Sequence, residues 1–296
     1  MSIYSLWGAL ELGLIFSLVA LGVLISFRIL RFPDLTVDGT FPLGGAVAAV
    51  LISSGNDPFV ATAIATVVGA GAGMVTGWLN VRLKIMDLLA SILMMTALYS
   101  INLRIMGKPN IPLIMEPTVF SVLIPEGWSD YIARPLILVF IVIMAKLLLD
   151  WFFTTQKGLA MRATGSNARM ASSQGVATGS MVLLGMAISN GLVALAGALF
   201  AQSQGGADIS MGIGTIVIGL AAVIVGESIL PSRRLVYATL AVIIGAILYR
   251  FFIALALNAD FIGLKAQDLN LVTAVLVTIA LVIPLLKKRL RGGRKA

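Results

Sequence analysis

Nine stretches of this chain are apolar over close to the length of about 20 residues that crosses a bilayer as a helix. They are Leu10–Phe27, Leu35–Ile52, Phe59–Val81, Met86–Met106, Pro135–Phe153, Ser180–Gln202, Gly212–Leu230, Leu235–Leu257 and Leu269–Leu286. Charge is scarce: 11% of residues are Asp, Glu, Lys or Arg and 59% are hydrophobic, where a soluble domain carries about 25% charged residues to coat its surface. A soluble globular protein, a disordered chain and a secreted disulfide scaffold are excluded. The class that remains is an all-α polytopic membrane protein of about nine spans, a single domain over 1–296. The first run lacks a basic leader and a small-residue cleavage site, so it reads as a retained helix.

The basic residues orient these spans, because Lys and Arg accumulate on the cytoplasmic side. With nine alternating spans and a cytoplasmic C-terminus, 15 of the 21 Lys and Arg fall inside, five fall outside, and Lys146 lies within a span. The reverse orientation puts the 15 outside and is rejected. The N-terminus is then extracytoplasmic, in a multi-pass protein of a bacterial inner membrane. Six of the basic residues crowd the tail 287–296. After an apolar helix this is a topology anchor, and no basic-aromatic patch accompanies it to suggest nucleic acid.

The inventory restricts the chemistry. There is no Cys and no His, so thiolate or imidazole catalysis and Cys- or His-ligated metal sites are ruled out. No two acidic residues stand at i, i+4 within one span, so an intramembrane enzyme has no paired carboxylates. The only Gly-Lys pair is Gly107-Lys108, followed by Pro109, so the chain has no phosphate loop of the G-x-x-x-x-G-K-[ST] type. No catalytic residue, metal or cofactor is expected.

Two connections are not simple spans. Gly107–Arg134 is long and proline-rich, with apolar pieces such as Val119–Ile124 too short to cross. Loop 157–179 is polar, and its length predicts one or two short helices. An internal repeat is visible at an offset of 174 residues: Asp34 meets Asp208, Leu35 meets Ile209, Thr36 meets Ser210, Gly45 meets Gly219 and Ala48 meets Ala222. Glycine-rich apolar helices also align by chance, but the two copies run in opposite directions across the membrane. Inverted repeats with Gly- or Pro-interrupted helices are a way to build a central solute path. Asp38, beside Gly39 and Pro42, sits at such an interruption; it is expected to face a cavity or partner, or to be a helix cap at the membrane surface. Thr36, Asp38, Gly39, Asp208 and Ser210 are the candidate pathway residues, and Glu227 is a further fixed charge. Gly69, Gly73 and Gly77 form two GxxxG steps, expected to pack helices within the chain.

The most specific stretch is KGLAMRATGSNARMASSQGV, Lys157–Val176. It resembles the cytoplasmic loop of permease subunits of ATP-binding-cassette importers of the branched-chain amino acid and ribose class, in particular the subgroup paired with lipoprotein-type binding proteins. The matching residues are Gly158, Arg162, Ala163, Gly165, Asn167, Ala168 and Gly175. FPDLTVDGTFPLGGAV (Phe32–Val47) and GADISMGIGTIVIGLAAVIVGESI (Gly206–Ile229) carry the same resemblance. It implies a type II-like permease whose loop 157–179 docks on a separate ATPase subunit. It further implies a periplasmic or lipoprotein substrate-binding protein on the outer face, a permease homodimer within membrane lipid, and a small polar solute, amino acid first. ATP hydrolysis then belongs to another chain. The alternative is a stand-alone secondary transporter driven by an ion gradient, using a carboxylate such as Asp38 or Asp208.

Overall fold

The computed structural model describes residues 3–124, 129–232 and 234–257, with the isolated positions 275, 278 and 282. Among the described residues, six helices are long and apolar enough to cross a membrane. The first is α1 (Ile3–Val23), which continues through a π-helical turn, Leu24–Ile29. The others are α3 (Pro58–Leu83), α4 (Asp87–Met106), α6 (Asp130–Thr154), α9 (Thr178–Gln204) and α11 (Leu235–Leu257). The second and seventh expected spans are shorter helices, α2 (Val37–Ser53) and α10 (Thr215–Ile229). At about 1.5 Å per residue they measure about 25 and 22 Å, less than a hydrocarbon core of about 30 Å. The ninth run, Leu269–Leu286, and the tail 287–296 lie outside the described residues.

The all-α expectation needs one correction. Strand β1 (Asn110–Pro112) pairs antiparallel with β2 (Gly206–Asp208), in the register Asn110 to Asp208. Three-residue strands in proline- and glycine-rich loops carry too little periodicity to be seen in sequence. Beside them α5 (Val119–Leu123) buries Val119 and Phe120. Loop 157–179 holds two short helices, α7 (Gln156–Ser166) and α8 (Ala168–Ser173), in line with expectation.

Contacts sort the segment ends into two groups. At one end the π-turn of α1 meets α7 and the end of α10, the α3–α4 hinge is tied by Asn80 to Asp87, and Gly179 lies against Val81. This basic end carries Arg28, Arg31, Arg82, Lys84, Lys157, Arg162 and Arg169. At the other, the loop end, lie β1, β2, α5 and the end of α9, where Gln202 bonds Thr62 and the backbone of Val119.

The repeat is realised in three dimensions. The offset of 174 carries α1 onto α9, α2 onto α10 and α3 onto α11. Packing follows the same rule: α3 packs on α9 as α11 packs on α1, and α2 on α3 as α10 on α11. Local turns also match. The Asp34 carboxylate accepts the Thr36 N–H at 2.9 Å and that of Asp208 accepts the Ser210 N–H at 2.7 Å. Gly39 and Ile213, another matched pair, donate to the carbonyls of Thr36 and Ser210. Asp38 and its mate Gly212 touch, since a Cβ at Gly212 would stand 2.1 Å from the Asp38 carbonyl oxygen. A position in contact with its own mate lies on the axis relating the two copies.

Small residues let these helices approach. A Cβ at Gly44 would stand 2.0 Å from the Ala194 carbonyl, at Gly197 1.9 Å from that of Phe41, and at Gly73 2.2 Å from that of Met186. Gly69 also faces α9, so the GxxxG steps pack α3 within the chain. The outward faces of α3 and α6 are apolar instead, with Val67 at 71%, Phe140 at 66% and Trp151 at 69% exposure. That is a surface suited to lipid and not to water.

Candidate functional site

The seven loop residues singled out from sequence fall on one platform at the basic end. Thr155 caps α7 by accepting the Gly158 N–H. One stripe of α7 (Gly158, Met161, Thr164) is buried against the bundle. Two glycines make that contact possible: a Cβ at Gly158 would stand 2.3 Å from the Phe152 carbonyl oxygen, and one at Gly165 only 1.7 Å from that of Ile29, in the π-turn. Asn167 ends α7, with its N–H on the Ala163 carbonyl, and starts α8, its side chain accepting the Met170 N–H at 3.1 Å. It thereby fixes the angle between the two short helices. Ala168 opens α8, and Gly175 closes the platform in a left-handed conformation, φ 85°. Arg162, Ala163, Arg169 and Met170 are exposed, Met170 by 63%. The platform thus offers a basic surface with an apolar contact, rigidly seated on α1, α6 and α9.

The five candidate pathway residues are not brought together; the repeat axis divides them. Thr36 is buried at the basic end, its hydroxyl 3.0 Å from that of Thr76. It belongs to a polar cluster that joins α2, α3 and α9. The Asn190 amide donates to Asp34 at 2.7 Å, and the Thr40 hydroxyl donates to the Asn190 carbonyl oxygen at 2.8 Å. Gly39 packs under Leu98, and its carbonyl accepts from Asn102. Asp38 is spent as a helix cap. Its carboxylate accepts the N–H groups of Gly214 and Ile216, at 3.3 and 2.8 Å, at the start of α10. There it satisfies donors that a helix start leaves free and complements the positive end of the helix dipole. The interruption expected at Asp38–Pro42 is not a break: α2 runs through Pro42 as one helix. Pro42 has no N–H for the Asp38 carbonyl, and it is against this carbonyl that Gly212 lies.

Asp208 and Ser210, the mates of Asp34 and Thr36, sit at the loop end, Asp208 half-buried and Ser210 exposed. Hydrogen bonds from the Ser210 hydroxyl, its N–H and the Asn110 amide hold the Asp208 carboxyl below the usual carboxylate range, against a smaller desolvation. Their counterpart of Asn190 is Phe16, and of Thr76 is Arg250. Arg250 is buried in α11, its guanidinium 4.0 Å over the Phe16 ring. Phe16 stacks on Phe41 at 5.7 Å. The polar cluster of the basic end therefore has no counterpart of the same chemistry at the loop end, where Gln202 joins α9 to Thr62 and Val119 instead. Glu227 is on neither part; it pairs with Arg28 at 2.6 Å at the basic end.

Sequence reasoning missed Asn190, Thr40, Thr76 and the intramembrane trio in which Lys146 pairs with Asp150 and Thr239 donates to Asp150 at 2.8 Å. The available signal was each polar side chain inside an apolar run. Among the described residues no group of His, Cys, Asp and Glu could hold a metal.

A family model described as branched-chain amino acid transport system / permease component matches residues 5–285. The chain is 42% identical to a tyrosine transport system permease protein of Clostridioides difficile, over 90% of this chain and 86% of that one. It is 26% identical to a galactofuranose transporter permease protein of Escherichia coli, covering 84% and 71%. It is 25% identical to the ribose import permease protein of the same organism, covering 84% and 76%. No solved structure matches significantly. With this match over nearly its whole length, the chain belongs to the branched-chain amino acid transport permeases, the membrane-spanning permease class of ATP-binding-cassette importers.

Proposed function

We propose that this permease imports a small polar solute, an amino acid in the first place, across a bacterial inner membrane, energised by a separate ATPase gripping α7–α8 from the cytosol. The observation that carries the reading is the platform itself. Two short capped helices are locked onto the bundle by Gly158 and Gly165, and they present Arg169 and Met170 outward, with Arg162 exposed at the edge of that face. Motion imposed on α7 passes directly to the π-turn of α1 and the end of α6. Two copies form the pathway, a substrate-binding protein docks on the loop end, and the C-terminus is cytoplasmic. The tyrosine transport relative supports the choice of an amino acid.

The inverted repeat supplies the two states that such coupling requires. The basic end is held by Asp34, Thr36, Thr40, Thr76 and Asn190, and the loop end by different contacts, Gln202 with Thr62 and Val119. Asp38 and Gly39 lie at the hinge between them. Import opens the first cluster to release solute inward. The ion-gradient alternative loses its candidates in this state, because Asp38 is taken up by N–H groups and Asp208 by its own turn. Arg162→Glu with Asn167→Ala tests the reading in the reconstituted complex. Solute-stimulated ATP hydrolysis should drop while the permease stays folded. Unchanged stimulation removes the docking role from α7–α8.

A further inference from the structure

A cleft of about 320 Å³ opens at the basic end between the π-turn of α1, α7, the end of α10 and the start of α11. Its walls carry Arg28, Arg31 and Arg162 and a single carboxylate, Glu227. Glu227 is taken by Arg28. Arg31 and Arg162 have no ion pair among the described residues. Arg31 is also held in the left-handed region, φ 57°. The Leu30 N–H returns to the Ile25 carbonyl and the Phe32 N–H to that of Ser26, so Arg31 occupies the helix-ending position that glycine usually fills. An arginine at that position accepts backbone strain and sets a cation on the cleft wall. Of the remaining walls, Leu24, Ile29, Leu235 and Ala238 are apolar and lie at the ends of α1 and α11, while Gly165 and Ser166 of α7 and Ser232 complete the polar side. The cleft therefore straddles the boundary between hydrocarbon and water, with two uncommitted guanidinium groups on its polar side.

We infer that this cleft binds the phosphate head group of an anionic phospholipid. Guanidinium groups match phosphate oxygens in charge and fork geometry, and basic pockets between spans on the cytoplasmic side are suited to such head groups. A lipid is favoured over an acidic protein partner by position. The cleft opens between span ends on the membrane side of α7, whereas Arg169 and Met170, which face outward from α8, lie outside it. A bound head group would tie α7 to the ends of α1 and α11 and so stiffen the platform. The inference stands whichever energy source drives the chain.

The test is lipid titration of the full-length purified chain, read by native mass spectrometry, with phosphatidylglycerol against phosphatidylcholine. Phosphatidylglycerol should bind about tenfold tighter, as expected for two charge-assisted contacts. Arg31→Gln with Arg162→Gln should reduce it to the phosphatidylcholine level. Glu227→Gln, which removes the competing carboxylate, should tighten it several-fold, and this arm decides the matter even if the arginine variants fail to fold. Equal binding of the two lipids, or Glu227→Gln binding no tighter than the parent, overturns the inference. So does inorganic phosphate binding as tightly as the lipid, which would assign the cleft to a free anion. Mole-for-mole displacement of the lipid by the ATPase subunit would overturn it too, giving the cleft to a protein partner.

Discussion

Gly165→Ala adds one carbon where the platform meets the bundle. The new Cβ would stand 1.7 Å from the Ile29 carbonyl oxygen, 2.8 Å from its carbon and 2.9 Å from the Leu30 Cα. Real Cβ atoms hardly ever come within 3.0 Å of such atoms, so α7 and the π-turn must part by at least about 1.3 Å. The opposing atoms are all backbone, and no side chain can rotate away. Overpacking of this kind costs about 1–3 kcal/mol, which shifts the seating of α7 by about 5- to 150-fold at 1.4 kcal/mol per tenfold. Hydrogen exchange reads that opening directly. Amides of Leu159–Thr164 should exchange faster by the same factor, while those of α9 hold their rate. Solute-stimulated ATP hydrolysis should fall in parallel. Parent-like exchange in α7, or faster exchange with full coupling, would refute the idea that tight seating on Ile29 transmits motion.

Three further outcomes are expected. Gly73→Ala meets the Met186 carbonyl at 2.2 Å, whereas Gly71→Ala meets nothing within 4 Å. The first should lower thermal stability in detergent by about 1–3 kcal/mol, and the second should be neutral or stabilising by up to about 1 kcal/mol. Asn190→Ala strips the buried Asp34 of a donor and should cost about 1–3 kcal/mol or more. In a double-mutant cycle with Asp34→Asn the losses should be less than additive. Lys146→Met leaves Asp150 buried without its cation and should cost about 3–5 kcal/mol, most of it recovered when Asp150→Leu is added.

The apolar runs and basic loops made most of the fold legible, since period and length report a span before any contact is known. The offset of 174 residues was equally readable, because Asp34 and Asp208 keep one turn chemistry in both copies. The glycines of loop 157–179 were visible as a pattern, but their purpose lay in carbonyls of Phe152 and Ile29 far from or just before them in the chain. Asp38 shows the limit most clearly. Its local sequence marks an interruption, yet its partners are N–H groups 176 and 178 residues away, and no local pattern names them. Arg250 stands in the apolar run Leu235–Leu257, yet the Phe16 ring that receives its guanidinium belongs to the other repeat, and no local pattern names it. The three-residue strands fell below any periodic signal.

Reconstituted uptake tests the central claim most directly. The chain is placed in liposomes alone and together with its ATPase subunit and binding protein, and entry of the bound amino acid is followed. Uptake should require the ATPase subunit and ATP, and should ignore proton and sodium gradients. Uptake by the chain alone, following an ion gradient and indifferent to ATP, would contradict the account.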